Sequence, residues 1–282
     1  MNWPALGGRS AATLPPVPVA VSCRPVPFSR YDRAVTTLLA VVPHPDDESY
    51  SFGGTIALAA KAGWTIAIHC ASSGEQGERH DGGAAEPAIL GPHREQELYA
   101  SGRLLGIGSY SFWRFPDGQV APGLQDVARL AAVIRGERPR IVMALGRDGA
   151  YGHPDHLAVY RWVRDAWDSL GDSRPALLLA AFPPGLFLPQ YAKCVEGGIM
   201  GDPPAVKPGD IGSQDWHYEV PIARVANLKR EAIAAHRSQL PNADPDALFP
   251  PGIVAALMET ERFVDARGTR DEATARLLRS LR

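Results

Sequence analysis

The chain has 282 residues, 45% of them hydrophobic, which is ample for one sizeable core and short for two full domains. Its net charge is -2, with 29 basic residues spread along the chain, so the Lys/Arg blocks of a nucleic-acid-binding protein are absent. Three cysteines, Cys23, Cys70 and Cys194, have no metal or redox spacing, and their odd number argues against a disulfide framework.

Residues 1–30 lack the basic start and continuous apolar core of a secretory leader, and no apolar stretch in the chain reaches the roughly 20 residues of a membrane span. Pro4, Pro15, Pro16, Pro18, Pro25 and Pro27 make a helix or central strand untenable there. Residues 1–33 therefore read as a Pro-rich arm, residues 34–282 as a single domain, and the cytoplasm as the expected location. From residue 35 the pattern changes. VTTLLAVV (35–42) is a continuous apolar run, as expected of a strand buried on both faces. An Ala/Leu/Ile-rich helix over 51–63 ends at Gly63, and a second strand spans 64–72. The Gly-rich, charged stretch 74–92 reads as a long loop, followed by a helix over 92–106 with Pro92 in its first turn.

The alternation continues with a short strand near 109–113, a helix near 123–136, a strand RIVMAL at 140–145, a helix from about 154 to 170 and a strand at 176–182. Beyond these, prolines and glycines dominate 183–213, then come a strand in WHYEVPI, a helix in ANLKREAIAAHRSQ and a last helix near 252–260. Strands separated by helices imply βαβ units, hence an α/β fold of three layers, α/β/α, around a mostly parallel, Rossmann-like sheet.

Open α/β sheets bind ligands at the carboxyl ends of their strands. Two segments rich in acids and histidines fall there: PHPDDE after the first strand, and DGAYGHPDH after RIVMAL. Asp46 and Asp47 are neighbours at a helix start, where side chains diverge by about 100°, so one can bind a metal while the other faces a water. Helix capping explains one aspartate but not the second, nor His44 beside them. The second cluster adds Asp148, Tyr151, His153, Asp155 and His156. Two histidines and one carboxylate are a recurring catalytic zinc set with a position left for water. A further carboxylate then serves as general base, and a further histidine as a donor to an oxyanion or a leaving amine.

PHPDDE and GHPDH in this order resemble the LmbE-like, or PIG-L-like, family of zinc-dependent N-deacetylases, over roughly residues 36–264. GEQGE at 74–78, RLLGIG at 103–108, FPDG at 115–118 and HRSQ at 236–239 add weaker support. The resemblance implies Zn2+, or another divalent metal, held by His44, Asp47 and His156. It implies Asp46 as general base, His153 as donor to the tetrahedral intermediate with Asp155 orienting it, and Tyr151 at the oxyanion pocket. The implied partner is a small N-acyl amino sugar or glycoside rather than nucleic acid, and homo-oligomerisation stays open.

Several residues carry two readings. Arg94 reaches a sugar hydroxyl or phosphate, or is a solvated surface group; Glu97 pairs with it or with the sheet end. Asp117 contacts a substrate hydroxyl or is a plain turn residue. His236 lies near the pocket or in the core. Trp113 and Trp216 form a sugar platform or pack inside, whereas Gln119, His217 and His69 read as structural. Two rivals to N-deacetylation remain: a zinc amidase acting on another small amide such as a thiol conjugate, and a non-catalytic sugar- or metal-binding protein. Retention of both Asp46 and His153 disfavours the latter. A dinucleotide site is disfavoured because GGTIALAAKAG lacks the G-x-G-x-x-G spacing.

Overall fold

The computed structural model describes residues 37–281; the Pro-rich arm and Cys23 lie outside the described residues. Seven strands form one sheet in the order β3-β2-β1-β4-β5-β7-β6. They are β1 (Thr37–Val42), β2 (Thr65–Cys70), β3 (Ser109–Phe112), β4 (Ile141–Leu145), β5 (Ala176–Ala181), β6 (Tyr218–Pro221) and β7 (Thr260–Asp265). The first five pair in parallel, β1 against β4 with Leu38 opposite Ile141, while β7 runs antiparallel to both β5 and β6. The expected three-layer, mostly parallel architecture is what the chain adopts.

The apolar runs alternate sides because a strand's side chains do. Leu38, Ala40 and Val42 of β1 face one core, and Leu39 and Val41 the other. The first core is covered by α1 (Asp47–Lys61), α2 (Pro87–Leu105) and α7 (Ala226–Ala234), which touch one another. The second lies under α3 (Leu124–Glu137) and α5 (Pro154–Asp168), where Trp162 and Trp167 are fully buried. A short, irregular turn of helix, α4 (Gly149–Gly152), joins β4 to α5. No helix among the described residues is long and apolar enough to cross a membrane.

Several elements differ from the sequence reading. The α2 helix starts at Pro87, so Pro92 lies inside it rather than in its first turn. Residues 183–213 contain a further helix, α6 (Leu188–Glu196). The helix expected over 226–239 stops at Ala234 and gives way to a 3-10 turn, Arg237–Gln239. The helix expected near 252–260 shrinks to α8 (Ile253–Ala256), because Thr260 already starts β7; the chain then ends in α9 (Glu272–Arg279).

The α1 helix is broken at Phe52 (φ -151°, ψ 22°). Beyond the break, the backbone N–H groups of Gly54 and Thr55 donate to the carboxylate of Glu261 on β7, at 2.8 and 2.7 Å. Glu261 also accepts from fully buried Lys229 of α7 at 2.7 Å, and Lys229 spends a second proton on the Leu257 carbonyl at 3.0 Å. Removing one member of such a pair strands the other charge, which costs about 3–5 kcal/mol. Glu261→Ala is accordingly expected to lower the unfolding free energy by that amount in urea titrations followed by circular dichroism. A loss below about 1 kcal/mol would show that the pair contributes little.

Candidate metal centre and active site

The strand order reverses direction between β1 and β4, the neighbours from which the sheet grows outward on either side. The connection after β1 enters α1 on one face and the connection after β4 enters α5 on the other, opening a crevice between them. PHPDDE and GHPDH line this crevice, and it joins a cavity of about 420 Å³.

Donor atoms of three residues converge there. His156 Nε2 lies 3.3 Å from His44 Nδ1 and 3.5 Å from Asp47 Oδ1, and His44 Nδ1 lies 3.4 Å from Asp47 Oδ2. A four-coordinate ion with bonds of about 2.0–2.1 Å needs donors roughly 3.3–3.4 Å apart, close to the spacing of each of these pairs, with Asp47 offering Oδ1 to one histidine and Oδ2 to the other. The other nitrogen of each ring is already engaged, as expected of metal-binding histidines. His156 Nδ1 meets the Gly149 carbonyl at 3.0 Å. His44 Nε2 faces Asp117 Oδ1 at 3.0 Å and Asp155 Oδ2 at 3.2 Å. Asp47 accepts the backbone N–H of His44 at 2.8 Å and the hydroxyl of Tyr50. A second grouping, His44, His153 and Asp155, is also compact. Its carboxylate also accepts the Gly118 and Val120 N–H groups at 2.7 and 3.0 Å.

Electrostatics follow from burial. Burial disfavours charge on Asp47, yet His156 and His44 outweigh it and hold the carboxyl well below its usual range. Burial likewise works against a charged His44, but its hydrogen bonds to Asp117, Asp155 and Asp47 raise it above the ordinary imidazole value. Asp46 is different: burial pushes it up to about 6 against the opposing charge of Arg94. His153 is driven down to about 3, by burial first and then by His156 and His44, so its ring is neutral near pH 7.

Asp46 does not cap α1: its side chain makes no capping bond, and its backbone sits at φ 122°, a conformation a non-glycine residue adopts at a cost of about 1–3 kcal/mol. Arg94 donates to its Oδ2 at 3.0 Å, while no hydrogen bond among the described residues falls on Oδ1. His153 Nδ1 accepts the Asp155 N–H at 3.3 Å, which leaves Nε2 as the proton-bearing nitrogen of the neutral ring. The Tyr151 ring packs edge-on against His156, 5.1 Å between centroids.

Five of the singled-out residues take protein partners in the structure. Asp155, expected to orient His153, turns its carboxylate to His44 and meets His153 through its backbone. Arg94 is neither solvated nor reaching outward. It is buried on Asp46 and on the carbonyls of Pro45 and Gly74, at 2.7 and 2.8 Å. Gly74 (φ +65°) is required there, since a Cβ would collide with the Arg94 guanidinium. Asp117 lines the cavity but spends its carboxylate on His44 and on the Gln76 N–H at 2.8 Å. His236 lies behind the cavity, 1% exposed, with its Nε2 3.1 Å from Glu48. Glu97 pairs with Ser238 rather than Arg94, through bonds of 2.7 and 2.6 Å.

Neither tryptophan lines this cavity. Trp113 donates to His69 at 3.0 Å and packs on Trp162, and Trp216 carries the Arg262 guanidinium on its ring. His217 accepts the Asp265 N–H at 2.9 Å. The walls instead come from Gln76, Gly77, Glu78 and His80 of the 74–92 stretch, Gln190, Cys194 and Ile199 of 183–213, and Gln239, Leu248 and Phe249. Neither these side chains nor Tyr50 and Glu48 carry a signal in the sequence that sets them apart from other loop and helix residues.

Residues 39–167 match the family model described as PIG-L, GlcNAc-PI de-N-acetylase. The 1D-myo-inositol 2-acetamido-2-deoxy-alpha-D-glucopyranoside deacetylase of Rhodococcus opacus (strain B4) is 30% identical, over 82% of this chain and 91% of the relative. Among solved structures, the N,N'-diacetylchitobiose deacetylase of Pyrococcus horikoshii superposes with a TM-score of 0.57 at 21% identity, covering 83% of this chain and 85% of that one. GalB, the 4-carboxy-2-hydroxymuconate hydratase of Pseudomonas putida KT2440, gives 0.54 at 20% identity, covering 82% and 96%. At such identities these two likenesses establish the fold alone.

With zinc as the probe ion, the apoprotein is expected to take up one equivalent per chain, and His156→Ala to bind it at least ~10-fold more weakly. Asp117→Asn, which removes a charge from the partner of His44, is expected to weaken binding by about 10–100-fold. Equilibrium dialysis with elemental analysis checks both; wild-type affinity in His156→Ala would place the ion elsewhere.

Proposed function

The chain belongs to the PIG-L, or LmbE-like, family of de-N-acetylases, and on that premise we propose that it is a zinc hydrolase removing the acetyl group from the amide nitrogen of a small N-acetylglucosaminyl glycoside. The observation that carries this reading is the donor set of His44, Asp47 and His156 lying beside the part-buried carboxylate of Asp46, on whose Oδ1 no hydrogen bond among the described residues falls. Zinc bound there would supply a Lewis acid that polarises the acyl carbonyl and acidifies water.

The remaining work falls to the chain's own groups. Asp46 takes the proton of the attacking water on Oδ1, and Arg94 fixes the other oxygen. Raised to about 6, its carboxyl is nearer the basicity a general base needs close to neutrality than an exposed aspartate would be. His153 donates from Nε2 to the oxygen that gains charge as the carbonyl becomes tetrahedral. Asp46 then returns the proton to the departing amine. Tyr151 closes the side of the pocket next to His156. Asp117 and Asp155 hold His44 in place and do not themselves react.

Substrate choice rests with the walls rather than with the donor set. The glutamines Gln76, Gln190 and Gln239 suit a polyhydroxylated aglycone, and Ile199, Leu248 and Phe249 give it an apolar side. A zinc amidase for another small amide would need the same donors and base, so a substrate panel has to separate the two. Acetate release should be measured on N-acetylglucosaminyl compounds with inositol, malate, oligosaccharide and glycopeptide aglycones. Turnover of at least one is expected. No acetate from any of them, by a zinc-loaded protein, would contradict the reading. Asp46→Asn keeps the side chain's size and removes its basicity, so kcat is expected to fall by about 10²–10⁴-fold with zinc retained. A near-normal kcat in that variant, fully loaded with metal, would remove Asp46 from the role.

A further inference from the structure

Asp46 is anchored at two points. Arg94 holds one carboxylate oxygen, and the Asp46 backbone N–H donates to Glu48 Oε2 at 3.0 Å. The second bond matters because the backbone of Asp46 occupies φ 122°, and the direction of Cβ follows from that angle. A return to an ordinary helical or extended φ would swing the carboxylate away from the donor triangle.

Glu48 is itself fixed from three elements. It is completely buried, and its Oε1 accepts from Ser49 Oγ of α1 at 2.5 Å, Ser101 Oγ of α2 at 2.8 Å and His236 Nε2 after α7 at 3.1 Å. One oxygen therefore ties the side chain to the scaffold, while the other receives Asp46. Only a carboxylate accepts at both ends; an amide has a donor at one of them, so it either turns that donor on Asp46 N–H or obliges Ser49, Ser101 and His236 to give up donating to it. None of these groups lines the cavity, so contact with substrate does not account for them.

We propose that Glu48, seated by Ser49, Ser101 and His236, is a positioning residue that holds Asp46 in its strained backbone conformation and so aims the free carboxylate oxygen. The inference rests on the reading of Asp46 as general base. It assigns Glu48 no contact with metal or substrate, and its effect on turnover passes through Asp46.

A double-mutant cycle tests this, because residues acting through one another show non-additive effects whereas independent ones do not. Glu48→Gln is expected to lower kcat about tenfold or more with KM and bound zinc near normal. Ser101→Ala, a milder change that keeps Glu48, is expected to lower kcat severalfold and serves if Glu48→Gln does not fold. Placed in the Asp46→Asn background, either change should alter kcat by less than about twofold. An equal loss in both backgrounds, or a loss of zinc in place of kcat, would overturn the positioning role and leave the general base intact. A near-normal kcat in Asp46→Asn alone would instead overturn the reading beneath it.

Discussion

The adjacency of β1 and β4 governs the rest of the carboxyl edge. Both strands are central and parallel, and their onward connections must leave for opposite faces because α1 and α5 belong to different layers. The backbone therefore parts at one place in the sheet, and the first residues after each strand face one another across the gap. His44 and Asp47 arrive from one side and His156 from the other, with their donor atoms 3.3–3.5 Å apart. The protein does not need long side chains or flexible loops to gather this set. Short residues on two helix starts, rooted in fully buried strands, are enough.

Around that set the structure is a succession of partners, each restricting the one before. Asp117 and Asp155 fix the ring of His44, the Gly149 carbonyl fixes His156, and Tyr50 fixes Asp47. Behind Asp46 stand Arg94 and Glu48, and behind Glu48 stand two serines and His236. So many buried acids in a small volume would repel one another and lose hydration, and a divalent cation at their centre offsets both effects. The 74–78 turn joins the system through Gln76 and Glu75 on Asp117 and through Gly74 on Arg94. A loop that borders the cavity is thus bonded to groups supporting both a donor and the proposed base.

Much of this was legible in the sequence. The strands β1, β4 and β5 are continuous apolar runs because both their faces are covered, and the acid- and histidine-rich segments announce themselves by following two of these strands. The antiparallel strand β7 escaped for a physical reason: two of its three inward positions are the acids Glu261 and Asp265, so its alternation is not hydrophobic. The α6 helix was hidden among prolines and glycines, and the start of α2 was hidden by Pro92, which the helix accommodates one turn in. Individual roles were harder. Arg94, Asp117 and His236 are polar residues close to the site in every sense sequence can judge, yet each spends its polar atoms on a protein partner. That choice depends on where Asp46, His44 and Glu48 sit after folding, information no local spacing carries.

Turnover is expected to belong to an ion held by His44, Asp47 and His156. The most direct measurement is a titration of metal-free protein with zinc while acetate release from an N-acetylglucosaminyl substrate is followed. Activity is expected to start near zero, to rise linearly and to break at one equivalent per chain. Full activity in protein stripped by a chelator, or a rise that continues without a break at one equivalent, would contradict it.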